Sequence, residues 1–416
     1  MHVAMTDTSE RLELAFEGDR LSLDPADPRF FGSPYAAYAR MHAERASFVW
    51  TELGHRCFAA HEDVSALLRD RRFGRAPSAE ALRERMPAFA AVERHSLLET
   101  EPPEHTALRK LANRAFVSRA IAELRPTIER TAHEALDAMI ASGEPCDLLP
   151  AYATPIPVET IARLLGVPVG DGERLVDWSH AMVAIYQPGR TAEVEARAES
   201  AAVAFGDYVR AAIEGRRREP RDDLLTRMVA ATEDERAFSD DQIVSLAILL
   251  LNAGHEATVH QIGNAVVSIL NAEANGLPRA AWIGRPDAIV DEVMRHDPPL
   301  HLFTRVAHED VAWTDADGER VPILAGETIG LLLGAANHDP RRYAEPSRFD
   351  PTRDARDHVA LGGGIHYCLG APLARMEIAI ALGVLFERLP KLAVVGAPRR
   401  ADTWHFNGYE SLPVRW

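Results

Sequence analysis

Between residues 103 and 274 the apolar positions recur at helical spacing almost without interruption. Breaks fall at Gly143-Glu144-Pro145, at 166–172, at Gln187-Pro188-Gly189 and at Glu219-Pro220. The strongest single helix begins at Ser239, which stands three residues before Gln242, the spacing of a capping box. The stretch that follows runs without proline to Asn271. About 30 residues at the usual rise predict a helix of about 45 Å. It is apolar nearly all round, so it should cross the centre of the protein. Gly254 stands in its middle and costs it about 1 kcal/mol relative to alanine, so its presence needs a reason.

The flanking patterns differ. Residues 1–35 are polar and punctuated by proline and glycine, which predicts a surface-wrapping arm. Short β-favouring pieces around Leu53-Gly54, within 48–60, lead into a helix over 62–69. Residues 74–101 carry scattered apolar positions without a firm period and read as a mobile loop with short helical pieces. After Pro286 a helix runs to Arg295 and stops at Asp297-Pro298-Pro299. Residues 303–333 alternate, with turn signals at 315–318 and at Ala325-Gly326, and read as short strands. A Pro-, Arg- and Asp-rich meander fills 337–358, followed by a glycine-rich loop, a helix over 371–389 and a short β tail. The expected fold is mainly α in a single domain over 1–416, with β-rich parts at 36–70, at 303–333 and in the tail.

Composition narrows the function. The net charge of -16 argues against nucleic acid, which must be met by a basic face. Lys110 and Lys391 are the only lysines, so nearly all positive charge is arginine. The first residues hold no apolar run of the kind that targets or anchors a chain, and the expected location is the cytoplasm. Cys57, Cys146 and Cys368 are odd in number and widely spaced, which is not a disulfide framework and leaves one free for chemistry.

The most informative segment is LGGGIHYCLG at 361–370. Its glycines permit positive φ and the close approach of a flat ligand. Cys368 follows just ahead of a helix, whose free N–H groups should lower the thiol pKa. Taken alone, the segment also suits a phosphate loop or a plain buried cysteine. It resembles, however, the haem-binding signature of the cytochrome P450 family, Phe-Gly-x-Gly-x-His/Arg-x-Cys-x-Gly, at Gly362, Gly364, His366, Cys368 and Gly370. Leu361 departs from the usual Phe, which alters packing beside the sulfur and leaves the ligand in place.

Three further motifs follow the family in order. Glu292 and Arg295 share a helix face at i, i+3 and resemble the structural Glu-x-x-Arg, completed by an arginine from within 349–353. His105 and Arg109, at i, i+4, suit a carboxylate, and the resemblance assigns them, with Arg305 and His366, to the haem propionates. Ala253-Gly254-His255-Glu256-Ala257-Thr258 resembles the oxygen-binding motif, in which an acid and an alcohol relay protons and small residues make room for dioxygen over the iron. Glu256 supplies the acid. Ala257 stands where the alcohol is expected, and Thr258 lies about 100° further round the helix. Either ordered water or a substrate hydroxyl takes the alcohol's part; some family members acting on oxygen-rich polyketides carry Ala here.

The resemblance extends over nearly the whole chain and implies the P450 fold, a helical prism with a long central helix and a small β-rich region. It implies haem b with Cys368 as axial iron ligand, O2 as co-substrate, and electrons from NAD(P)H through ferredoxin reductase and a ferredoxin. The ferredoxin is expected on the face carrying Arg109, Lys110 and Arg114, against a monomeric protein. The expected reaction is hydroxylation or epoxidation of a small, largely apolar, oxygen-bearing metabolite. Leu249, Asn252, Ala253, Ala257, His301, Leu302 and Phe303 are expected to line its pocket, with His301 and Asn252 orienting a substrate oxygen. Residues 74–101 and 178–192 are the expected roof. The alternatives are an atypical oxidation (phenol coupling, desaturation or peroxide-driven chemistry) and a non-catalytic P450-like helper protein.

Overall fold

The computed structural model describes residues 12–75, 82–115, 118–186, 190–233, 236–279 and 282–416. The break expected at Gln187-Pro188-Gly189 lies outside them. The chain opens with β1 (Ala15–Glu17), β2 (Arg20–Ser22), α1 (Pro28–Gly32), α2 (Tyr35–Glu44), β3 (Ser47–Trp50), β4 (His55–Phe58), α3 (His61–Leu67) and β5 (Phe73–Gly74). The helical middle holds α4 (Pro87–Glu93), α5 (Glu104–Ala115), α6 (Ser118–Ser142), β6 (Cys146–Asp147), α7 (Pro155–Leu165), α8 (Gly172–Val183), α9 (Ala192–Arg218), α10 (Leu224–Ala230), β7 (Thr232–Glu233), β8 (Arg236–Ala237) and α11 (Asp240–Ala274). The last third holds α12 (Val290–His296), β9 (Leu302–Ala307), β10 (Val311–Thr314), β11 (Arg320–Ile323), β12 (Thr328–Leu332), α13 (Leu333–Ala336), α14 (Ala371–Arg388), β13 (Ala393–Val394), β14 (Arg399–Arg400), β15 (Tyr409–Ser411) and β16 (Pro413–Arg415).

The capping box forms as its spacing requires. The Gln242 amide donates to Ser239 Oγ at 3.2 Å, and the Ser239 amide donates to the Gln242 side chain at 3.0 Å. Helix α11 then runs 35 residues. It is long and apolar enough to cross a membrane by composition, yet most of its apolar window is enclosed by the fold. That enclosure accounts for the all-round apolar pattern: α11 packs on α7, α9 and α14 and forms the centre of the main core.

Of the residues expected to form a surface arm, 1–11 lie outside the described residues, while β1 and β2 enter the sheet. The order is β1-β2-β3-β4-β12-β9-β5, with β12 parallel to β4 and antiparallel to β9. Leu21, Leu23 and Phe30 are buried with Tyr38, Trp50 and Trp404 in a second, aromatic core. The apolar positions that do this are too few and too scattered to show a period in a polar stretch. The sheet matters to the site because it fixes β9: Arg305 pairs in register with Ile329, and Phe303 with Leu331.

Candidate active site

Cys368 sits between a single helical turn at Gly364–His366 and the start of α14. Its amide donates to Leu361 O at 2.9 Å, which closes the loop. Gly362 and Gly364 have φ of 70° and 65°, a region L-residues rarely adopt. A Cβ on Gly364 would lie 2.5 Å from the Leu68 carbonyl oxygen, so the loop is seated directly on the end of α3. Burial raises the Cys368 thiol pKa; the Gly370 and Ala371 amides and the Arg109 and Arg375 guanidiniums pull it down without prevailing. The expected lowering by the helix terminus is therefore reversed by desolvation. Metal coordination, which deprotonates a bound thiol outright, is what this sulfur requires to act as a thiolate.

Beside the loop, basic side chains converge. His105 on α5 is 2% exposed, and its Nε2 is buried with no partner. Its ring lies 4.5 Å from that of His366, and burial pulls its pKa down to about 4. His366 Nε2 lies 2.9 Å from Glu101, whose carboxyl is held below its ordinary value partly by that bond. Arg109 donates to Tyr367 O at 2.7 Å. Arg305 on β9 is 3% exposed, its one hydrogen bond among the described residues goes to Thr304 O, and burial lowers its pKa to about 10. The buried Arg305 and half-buried Arg109 guanidiniums, with a single carboxylate nearby, call for more negative charge, and the unpartnered His105 Nε2 calls for a hydrogen-bond partner. The two propionates of a haem meet that need, so the donor set fits the group that Cys368 would ligate. Glu101 lies before α5 and its partner His366 is far along the chain, so spacing in the sequence carried no signal for it. Arg375, which bonds Asp291 at 2.9 Å and the Tyr367 hydroxyl at 3.2 Å, had none either.

Helix α11 shows one open stripe. Leu249, Asn252, Ala253, Glu256, Ala257 and His260 are partly or fully accessible, whereas Leu250, Leu251, His255 and Thr258 are buried. The open positions follow the 3.6-residue period, so they share one face of the helix. Burial alone raises the Glu256 carboxyl to about 7. Among the described residues, the Asn252 side chain makes only a long contact of 4.0 Å to the Met182 sulfur, and its Oδ1 has no partner.

Several expected site residues are placed elsewhere. Thr258 is 5% exposed, on the closed side of α11, as its angular offset implies. At Gly254 a Cβ would lie 3.0 Å from Ile161 on α7, so close helix packing gives a reason for this glycine. His301 is fully buried, with Nδ1 2.6 Å from the Tyr38 hydroxyl and Nε2 3.0 Å from Pro298 O. Both ring nitrogens are taken, so His301 is a core group and not a substrate contact. It precedes β9, and the strand's alternation does not reach it. Leu302 packs toward the aromatic core. Phe303 faces the cysteine loop, 3.2 Å from where a Cβ on Gly362 would stand.

Glu292 and Arg295 form a fully buried pair at 2.7 Å, and Arg353 of the meander joins at 3.3 Å. Arg295 also donates to the carbonyls of Asn337 and Pro346. The triad thus ties α12 to the segment leading into the cysteine loop.

A protein with a cysteine held in a glycine-rich loop, a buried basic cradle beside it and a long helix that packs on α5 and α14 and bares alanines has the make-up of a haem-thiolate enzyme. Comparison with known proteins agrees. Residues 286–391 match the family model described as Cytochrome P450. The chain is 37% identical to cytochrome P450 107B1 of Saccharopolyspora erythraea, over 95% of this chain and 98% of that one. It is 38% identical to the mycinamicin IV hydroxylase/epoxidase of Micromonospora griseorubida, over 86% and 88%. Among solved structures, CalO2 superposes with a TM-score of 0.86 at 31% identity, over 95% of this chain and 98% of that one. The chain belongs to the cytochrome P450 family and is a P450 monooxygenase.

Proposed function

We propose that this monooxygenase hydroxylates or epoxidises a small, largely apolar, oxygen-bearing secondary metabolite of polyketide or macrolide type. Electrons come from NAD(P)H through ferredoxin reductase and a ferredoxin. The observation that carries the reading is the open face of α11, where Ala253 and Ala257 leave space beside Glu256 and no alcohol stands at 257. The similarity to a mycinamicin IV hydroxylase/epoxidase and to the monooxygenase PikC of Streptomyces venezuelae supports the substrate class.

In this reading Cys368 ligates the haem iron, and His105, Arg109, Arg305 and His366 hold the propionates. The bound haem supplies the activation of O2. Overall, a substrate C–H bond, O2, two electrons and two protons become an alcohol and water. The chain's own task is to bind and orient the substrate, exclude bulk water and deliver those protons. Glu256, held near 7 by burial, carries an exchangeable proton at neutral pH. Ala257 offers no hydroxyl to pass it on, so a substrate oxygen takes that position. The ferredoxin meets the face of α5, where Lys110 is exposed; Arg109 is turned to the cysteine loop, and the side chain of Arg114 lies outside the described residues. Electron transfer should slow as salt rises.

The test pairs ligand screening with coupling. Oxygen-bearing polyketides should displace the iron-bound water and shift the Soret band to the blue. Ala257→Thr should then weaken productive binding of the true substrate, and a deoxy analogue should release more peroxide in the unaltered enzyme. Improved coupling in Ala257→Thr, with the deoxy analogue coupled equally well, would overturn the substrate-assisted reading. Cys368→Ala should lose the red-shifted band of the ferrous CO complex.

A further inference from the structure

We propose that His260 is a polar anchor for the substrate, at the end of the cavity opposite Asn252. The proposal rests on reading the open face of α11 as the substrate pocket. His260 is the last position of that face, one turn beyond Glu256. It stands in the corner where α11, the segment before β9 and the C-terminal loop meet. Phe406 of that loop pairs with Leu300 and sets its ring edge-on to the imidazole at 5.1 Å.

The placement of the ring is built in. A Cβ on Gly408 would come within 1.9 Å of His260 Nδ1, so glycine there is what admits the imidazole. Nδ1 is buried against this loop with no partner. The ring is only partly buried, which leaves its other edge for the cavity. Burial, with the neighbouring His180, Arg400 and His255, pulls the pKa to about 4, so the ring is neutral and offers hydrogen bonding without charge. Asn252 Oδ1, at the other end of the face, is likewise without a partner. The two positions are eight residues apart, or about 12 Å along the helix. Between them lie Ala253 and Ala257.

The unpaired Asn252 Oδ1 and the accessible edge of the His260 ring flank an apolar span and define a ligand of the same form, since a buried polar group is costly when left unmet. The ligand class is a neutral, mostly hydrocarbon molecule with a hydroxyl or carbonyl near each end. Asn252 Oδ1 accepts from a hydroxyl, and His260 bonds the far oxygen.

The test uses the haem-loaded protein and calorimetric titration with three probes: testosterone, which carries oxygens at both ends of a rigid skeleton; androstane, which lacks them; and mycinamicin IV. The unaltered protein should bind testosterone well above androstane. His260→Phe should weaken testosterone about tenfold, the order of one lost hydrogen bond, and leave androstane unchanged. His260→Gln should restore most of the loss. Gly408→Ala, which keeps the imidazole and displaces it, should mimic His260→Phe and carries the test if that variant does not fold. Testosterone binding within twofold of the unaltered protein in folded His260→Phe, or in Gly408→Ala where that variant carries the test, overturns the anchor. So does equal binding of androstane and testosterone by the unaltered protein. Binding of testosterone but not mycinamicin IV sinks the macrolide reading alone, and binding of neither overturns both.

Discussion

Glu256 shows how much of a site one residue's surroundings decide. Its carboxyl is moved from an ordinary value of 4.5 to about 7 by burial alone. The folded protein therefore holds this proton more tightly than the unfolded chain does, and stability falls as pH rises between those two values. The unaltered protein should lose about 1–3 kcal/mol of unfolding free energy to this group between pH 5 and pH 8. Glu256→Gln should show a correspondingly flatter profile. Denaturant titrations at both pH values measure the slopes, and parallel slopes would show that the carboxyl is not held in its neutral form. Glu256, Cys368 and the basic residues His105, Arg109, Arg305 and His366 can be picked out in the sequence, because each belongs to a spaced pattern or to the family resemblance. His301 cannot be placed in the same way. Its polarity among apolar neighbours suggested a substrate contact, whereas Tyr38 and a backbone carbonyl claim both its nitrogens. Those partners come from far along the chain or from a local bend, and no spacing announces them.

Among elements, α11 was the most legible, since its cap, its length and its all-round apolar pattern agree. What the pattern could not give is which way each side chain faces once neighbouring helices are in place. Gly254 is the case in point. Removing its conformational freedom with Gly254→Ala should favour the helix by about 1 kcal/mol. The added Cβ would meet Ile161 at 3.0 Å, however. Overpacking a tight contact costs about 1–3 kcal/mol, so the variant should be net destabilised, and adding Ile161→Val should recover most of the loss. Thermal unfolding of the two variants decides; a stabilised Gly254→Ala would mean that α7 yields freely. The triad of α12 makes a harder claim. Glu292 and Arg295 are wholly buried, so Glu292→Gln leaves a guanidinium without its charge partner. A loss of about 3–5 kcal/mol is expected, read as a lowered denaturant midpoint; a loss below 1 kcal/mol would mean that the carbonyls around Arg295 suffice without the carboxylate.

At the scale of the whole molecule, the segments expected to roof the site are tied together by carboxylates, Glu93 buried and Glu199 half-buried. Tyr186, at the end of the turn after α8, donates to Glu93 on α4 at 2.8 Å. Glu199 on α9 accepts from the Ala88 and Phe89 amides at the start of α4, at 2.9 and 3.0 Å. The expected loop over 74–101 thus contains a helix fixed to the α8–α9 pair, although residues 76–81 lie outside the described chain. Losing one of these ties should ease opening. Tyr186→Phe should speed imidazole binding to the haem-loaded protein by about two- to tenfold, the range of one hydrogen bond, when followed by stopped-flow absorbance. An unchanged rate would place the controlling motion elsewhere.

The sheet carries a consequence for how such a chain is made. Strand β4, at 55–58, lies beside β12 near residue 330, and β6 at 146–147 is paired by β16 at 413–415. The basic cradle likewise draws on residues as far apart as Glu101 and His366. A ribosome adding about 5–20 residues per second needs tens of seconds to produce those partners. Throughout that time the early strands have exposed edges, which are ready templates for pairing with other chains. The haem cradle is incomplete until residue 368 has emerged. Cofactor capture is therefore an event at the end of synthesis, and the yield of active protein should depend on haem supply at that moment and on chaperones that cover the early strands until it arrives.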